Sequence, residues 1–251
     1  METFRRLFLV ALFAGSFSGL IVTLIHQIST VPLILKAEIY EKAADEKIIV
    51  SSTDNQSSAN TLSFTKNNST NHADHNETWE HERIFFTFLA DLLTGIGFCL
   101  LLAVSYRIWG KSVHWRQGLY WGLAGFIIFT LAPGLGLPPE VPGTIAADLA
   151  ARQIWWIVTV CFTAAGLGLI FLNKHMIYAI IGIALLTLPH IYGAPQPTEY
   201  ISTAPEALTH RFIVVVIISG LIFWTSMGCL TSFFYNKFFK KDIFIDNYQQ
   251  S

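Results

Sequence analysis

The chain reads Thr130-Leu-Ala-Pro-Gly-Leu-Gly-Leu-Pro-Pro-Glu140 between two apolar runs, and the second run opens at Leu-Ala-Ala-Arg152. A second version of this pattern reads Thr187-Leu-Pro-His-Ile-Tyr-Gly-Ala-Pro-Gln-Pro197 and leads to Ala-Leu-Thr-His-Arg211. In each copy a proline-rich turn and a short acidic segment separate two apolar stretches. The pattern predicts two repeated helical hairpins, an arrangement by which many membrane transporters frame a shared site.

The composition is that of a membrane protein. Hydrophobic residues make up 53% of the chain and charged residues only 13%, about half the charged share of a soluble domain. Apolar runs of about 17 to 25 residues have the length that a membrane-spanning helix needs, and they occur at 7–28, 84–106, 118–137, 154–172, 177–192 and 212–235. The sequence therefore predicts an all-α polytopic membrane protein with about six transmembrane helices. The first run exceeds a signal-peptide core in length, which favours a retained span.

The basic residues predict the orientation, because Lys and Arg concentrate in short cytoplasmic loops. One side of the predicted bundle carries most of them: Arg5, Arg6, Arg107, Lys111, Arg116, Lys174, Lys237, Lys240 and Lys241. The short loops on the other side carry only Arg152 and Arg211. Both termini are therefore expected in the cytoplasm, with the long loop at 29–83 outside.

These predictions divide the chain into transmembrane helix 1 at 1–28, an extracytoplasmic loop at 29–83, transmembrane helix 2 at 84–106, hairpin repeats at 107–172 and 173–241, and a cytoplasmic tail at 242–251. In the loop, the stretch after Pro32 predicts a short helix on the outer membrane surface. Residues 51–82 are rich in Ser, Thr and Asn and have little to bury, which predicts a disordered tether.

Candidate metal ligands gather towards the predicted outer side. The tether ends in three histidines, His72, His75 and His81, among four carboxylates, a composition that suits borderline divalent metals; a solvated polar tether without metal is the alternative. Asp91 lies about 10 Å inside its helix, where a carboxylate needs a cation, either a bound metal or an arginine such as Arg152 or Arg211. The candidates near the outer ends of the helices are His26, Glu38, Asp91, Glu140, Asp148 and His190.

Several stretches together resemble one family. They are Phe4-Arg-Arg-Leu7, Val31-Pro-Leu-Ile-Leu-Lys-Ala-Glu38, Leu131-Ala-Pro and its continuation to Gly143, and Leu188-Pro-His190. Over nearly its whole length, except about 50–80, the chain resembles the CbtA family of predicted bacterial cobalt transporter subunits. The resemblance implies cobalt uptake across the inner membrane beside a small single-span partner, CbtB, that carries a histidine-rich segment. The family is described with five spans, whereas the charges here favour six.

Two functions of different classes follow. In the first, the chain transports a divalent metal: the tether histidines collect the ion, the six outer groups form a vestibule, and the ion crosses between the hairpins. Nitrogen and carboxylate ligands fit Co²⁺, Ni²⁺ and Zn²⁺ alike; no prosthetic group is expected.

In the second, the chain is a non-transporting scaffold or metal-binding accessory subunit, which the lack of strong ligands in the inner half favours. An intramembrane enzyme is a weaker hypothesis, because nothing marks a nucleophile. Membrane lipid and a second copy of the chain are the other expected contacts, and no nucleic-acid patch occurs.

Overall fold

The structure is a computed structural model that describes the backbone of residues 1–54, 72–110 and 113–249, and the side chains of residues 1–47, 81–110 and 113–239. Its α-helices are α1 (Glu2–Ile25), α2 (Val31–Asp54), α3 (His72–Trp109), α4 (Trp115–Phe126), α5 (Ala132–Gly136), α6 (Leu149–Leu172), α7 (Met176–Tyr192) and α8 (Glu206–Gln249). Two π-helical segments, π1 (His26–Thr30) and π2 (Ile127–Leu131), join α1 to α2 and α4 to α5.

The helices confirm the predicted class of an all-α polytopic membrane protein. In the part of the chain that the structure describes, five helical stretches are long and apolar enough to cross a membrane: Glu2–Lys47, His81–Trp109, Trp115–Gly136, Leu149–Leu172 and Glu206–Phe239. The remaining apolar helix, α7, has 17 residues. At about 1.5 Å per residue it measures about 26 Å, close to the ~30 Å thickness of a bilayer's hydrocarbon core.

Both π segments have the same cause, a proline two residues after the segment. Pro32 follows π1 and Pro133 follows π2. A proline inside a helix has no N–H to donate, and its ring clashes with the carbonyl four residues earlier. The wider π turn accommodates that clash.

Glycines bring the helices together in three pairs, α1 with α3, α4 with α8, and α6 with α7. In the first pair, a Cβ at Gly19 would lie only 2.9 Å from the Leu92 Cα. The second pair rests on two glycines of α4 that face one glycine of α8, and the third rests on two facing glycines. The glycines involved are Gly15, Gly19 and Gly95, then Gly118, Gly122 and Gly228, and finally Gly166 and Gly182.

The main core lies between α1, α3, α4 and α8. Its most buried side chains include Val10, Tyr106, Met227 and Phe239. The α6–α7 pair stands beside this bundle, and α6 contacts it mainly through π2 and α5, at the end that the charge pattern predicts to face outward (the outer end). One helix of each predicted hairpin thus packs in the bundle and the other stands outside it; the two-repeat organisation itself stays a prediction.

The loop at 29–83 differs from the sequence expectation. The predicted surface helix is a continuation of the first span, because α2 buries Leu33 and Ala37 against Val141, Ala204 and Phe212. The predicted tether at 51–82 is helical at both ends, since α2 extends to Asp54 and α3 begins at His72. Adding residues to an existing helix costs far less than nucleating a new one. Residues 55–71 lie outside the described part of the chain.

The two proline-rich outer turns join each other. The Ile145 N–H donates to the Ile201 carbonyl at 3.0 Å, and the Thr203 N–H donates to the Gly143 carbonyl at 3.2 Å. Gly143 has a φ of +77°, a backbone conformation that favours glycine. This contact links α6 to the start of α8 on the side of the bundle that carries the candidate site.

Candidate metal site

Asp91 in α3 faces two polar side chains of the first helix. The Thr23 hydroxyl donates to the Asp91 Oδ2 at 2.9 Å, and the His26 Nδ1 lies 3.2 Å from the same oxygen. The side chains of Asp91 and His26 are 16% and 28% exposed. The structure therefore brings together two of the predicted ligands, and it adds a hydroxyl beside them.

A glycine contact between α1 and α3, next to Asp91 in the fold, brings these side chains together. Gly19 lets α1 approach α3 until their backbones touch at Leu92. Thr23 lies one helical turn further out and His26 three residues after that, so both are on the same face of the helix. The Thr23 hydroxyl also lies 2.9 Å from the Gly19 carbonyl oxygen, so its single proton is shared between that carbonyl and the Asp91 carboxylate.

Of the two alternatives for Asp91, a bound metal or an arginine, the described side chains do not show the arginine. Arg152 pairs instead with Glu140 at 3.0 Å, and Arg211 is exposed at the start of α8. Within the residues whose side chains are described, no lysine or arginine lies within ion-pair distance of Asp91. The reason is positional: α1 covers the face of α3 that carries Asp91, while Arg152 lies at the outer end of α6.

The other outer candidates are engaged separately. Glu38 forms an ion pair with Arg83 at 3.3 Å, and the Asp148 carboxylate caps α6 by accepting the Ala151 N–H at 2.9 Å. The His190 ring packs edge-on against Trp155, with their centroids 5.8 Å apart. Among the described side chains, no three His, Cys, Asp or Glu residues converge as a metal group. Of the six residues predicted to form a vestibule, only Asp91 and His26 therefore contact each other in this conformation, and the other four have other partners.

The tether histidines are only partly described. His81 is exposed in α3, and the side chains of His72 and His75 lie outside the described residues. Their backbone belongs to the first turns of α3.

Sequence reasoning assigned no role to three polar residues, Thr23 in α1 and Gln27 and Thr30 in π1. Thr23 could have been found from its spacing of three residues before His26, which places the two on one helix face. In π1, the Gln27 Nε2 and the Thr30 Oγ1 are buried and have no hydrogen-bond partner among the described residues. The sequence does not show that these two side chains are buried, because their burial depends on how the π turn packs around Pro32.

The pair has the donor chemistry of a transition-metal site. An imidazole nitrogen and a carboxylate oxygen suit borderline divalent cations such as Co²⁺, Ni²⁺ and Zn²⁺. Ionisable groups inside a membrane are costly, and they mark ion or proton pathways in many membrane proteins. The fold and this pair together define the class: a multi-pass helical membrane protein with an embedded polar site.

The family follows from comparison with known proteins. A family model described as "Probable cobalt transporter subunit (CbtA)" matches residues 4–236. The chain belongs to the CbtA family, as its sequence motifs predict. Searches of curated proteins and of solved structures found no match.

Proposed function

We propose that the chain is a subunit for the uptake of a divalent metal ion, with cobalt as the favoured ion, across a bacterial inner membrane. The family supports the transport role, and the charge distribution supports cytoplasmic termini. Asp91 and His26 bind the ion on its way through the membrane, and the ion is cargo rather than a resident cofactor.

One observation carries the proposal: a largely buried carboxylate touches a histidine nitrogen and has no arginine or lysine within ion-pair distance among the described side chains. A buried carboxylate without a compensating positive charge is destabilised by the loss of hydration. A structural ion pair would normally use arginine, whose charge is permanent. An exchangeable cation at this position satisfies the carboxylate while it is bound and leaves when the site opens.

The remaining candidates have supporting roles in this proposal. His72, His75 and His81 gather the ion outside, and Glu38, Glu140, Asp148 and His190 border the route to Asp91. The partner is a small single-span, CbtB-like subunit, and membrane lipid covers the apolar outer faces.

A specific observation favours a second function, a metal-binding accessory subunit that does not itself transport. Directly inward of Asp91, the α1 and α3 backbones touch at Gly19 and Leu92, so no ion passes between these helices in this conformation. The inner parts of the described spans contain no His, Asp or Glu that could receive it. Transport then requires either that α1 and α3 separate or that another subunit completes the route.

Uptake of radioactive cobalt into sealed vesicles that contain this protein, alone or together with the CbtB-like subunit, tests the proposal. Asp91→Asn should reduce uptake at low cobalt by at least about 10-fold, since loss of even an outer-shell partner of a metal costs 10- to 100-fold. The chain offers a matched control in Glu206 and His210, an exposed carboxylate–histidine pair at 3.4 Å. Glu206→Gln should leave uptake unchanged.

The two functions give different results in this assay. Cobalt that binds in an Asp91-dependent way but never enters the vesicles would support the accessory function. Unchanged binding and uptake in Asp91→Asn would remove Asp91 from both proposals.

A further inference from the structure

The interface between α6 and α7 contains two buried threonines between two tight contacts. At the inner contact, Gly166 meets the Gly182 carbonyl. At the outer contact, the Trp155 Nε1 donates to the Pro189 carbonyl at 3.3 Å. Thr159 and Thr163 lie between these contacts on α6, and both side chains are 0% exposed.

Neither threonine hydroxyl has a hydrogen-bond partner among the described residues. Some helical threonines donate to the carbonyl four residues earlier, as Thr225 does at 2.7 Å, whereas Thr30 and Thr209 are unpaired like Thr159 and Thr163 among the described residues. A buried hydroxyl without a partner is unfavourable, so native interiors pair such groups with protein or with ordered water.

A backbone carbonyl in α7 loses its usual helical donor. Pro189 has no N–H, so the Leu185 carbonyl four residues earlier loses its helical donor. Leu185 is on the side of α7 that faces α6, because its Cβ lies 3.5 Å from where a Cβ on Gly166 would be. The carbonyl points towards the C-terminal end of α7, which is the end opposite Thr159 in this antiparallel pair.

We propose that an ordered water molecule binds between α6 and α7, held by the hydroxyls of Thr159 and Thr163 and by the carbonyl of Leu185. Three polar groups match the roughly three hydrogen bonds that a buried water makes. Hard divalent cations take six or more oxygen ligands, and the wall of this site carries no charge to offset a cation. Ordered water and Ser or Thr side chains are also what makes proline tolerable in membrane helices.

This water has a structural consequence for the outer end of α7. It replaces the backbone bond that Pro189 cannot make, and so it holds the last turn of the helix, which carries His190. The inference is independent of metal transport, because it concerns the α6–α7 pair alone.

Substitutions of threonine by the isosteric valine test the proposal, because the direction of the change in Tm differs between the two cases. If the hydroxyls hold water, Thr159→Val and Thr163→Val should each lower the Tm of the purified protein. If the hydroxyls are simply unpaired, valine should raise the Tm, because it removes a buried polar atom and keeps the shape. Thr225→Val is the matched control, since its hydroxyl bonds only within its own helix; its effect should be smaller than that of Thr159→Val.

Two further measurements keep the proposal open to refutation. Thr159→Ser keeps the hydroxyl and loses the methyl group, so it should lower the Tm less than Thr159→Val; an equal or larger loss would overturn the proposal. The Tm differences should be the same in sodium and in choline chloride. If the Tm differences occur only in sodium chloride, the site binds a cation rather than water.

Discussion

The spacing of α1 and α3 at Gly19 should control both stability and metal binding. A methyl group added at Gly19 would lie 2.9 Å from the Leu92 Cα and 3.0 Å from the Asp91 carbonyl oxygen. Since carbon atoms normally pack about 3.5–4.0 Å apart, Gly19→Ala forces the two helices apart by roughly 1 Å. That displacement stretches the Thr23–Asp91 hydrogen bond from 2.9 Å beyond bonding distance and separates His26 from the same carboxylate.

The expected cost of Gly19→Ala is about 1–3 kcal/mol, the usual range for overpacking a well-packed core. The control is Gly97→Ala in α3, where an added methyl meets nothing within 4 Å and higher helix propensity stabilises by up to about 1 kcal/mol. Unfolding of the purified proteins in detergent micelles gives both differences, and cobalt titration gives the affinities. If Gly19→Ala is as stable and binds cobalt as tightly as Gly97→Ala, the close approach of α1 and α3 does not define the site.

Three further predictions concern the outer side. Glu140→Gln and Arg152→Gln should show a coupling of about 1 kcal/mol or less in a double-mutant cycle of unfolding, because the pair is partly exposed; a coupling several times larger would indicate a buried network. Asp148→Ala should cost about 1 kcal/mol through loss of the α6 cap at unchanged cobalt affinity, and weaker binding would make Asp148 a ligand. Cysteines replacing Thr198 and Lys174 should react with an impermeant reagent from outside and from inside respectively; labelling from one side would refute the six-span orientation.

The fold was accessible from the sequence because membrane insertion leaves a strong signal. Each apolar run coincides with a helix, although α3 and α8 extend well beyond the runs that predict them. The family was accessible through motifs spread over the whole chain. These features depend on local composition and spacing, which the sequence states directly.

The partners of the polar groups were less accessible, because they depend on which helices pack together. Charge and depth left a bound metal and an arginine as alternatives beside Asp91, and they did not reveal that packing of α1 on α3 places His26 and Thr23 there. The polar composition of the loop after the first span did not reveal that α2 and α3 extend into its two ends. The unpaired atoms in π1 follow from a proline-induced change of helix type, which the hydrophobic periodicity of the sequence does not reveal.

Cobalt X-ray absorption tests the central claim that Asp91 and His26 bind the ion. The measurement uses purified protein in which His72, His75 and His81 are replaced by glutamine, so that the outer histidines contribute no signal. With one equivalent of Co²⁺, the bound metal should show scattering from an imidazole ring. His26→Gln should abolish this signal, whereas His210→Gln should preserve it. An unchanged imidazole signal in His26→Gln, or no cobalt bound to the protein that retains His26 and Asp91, would contradict the assignment.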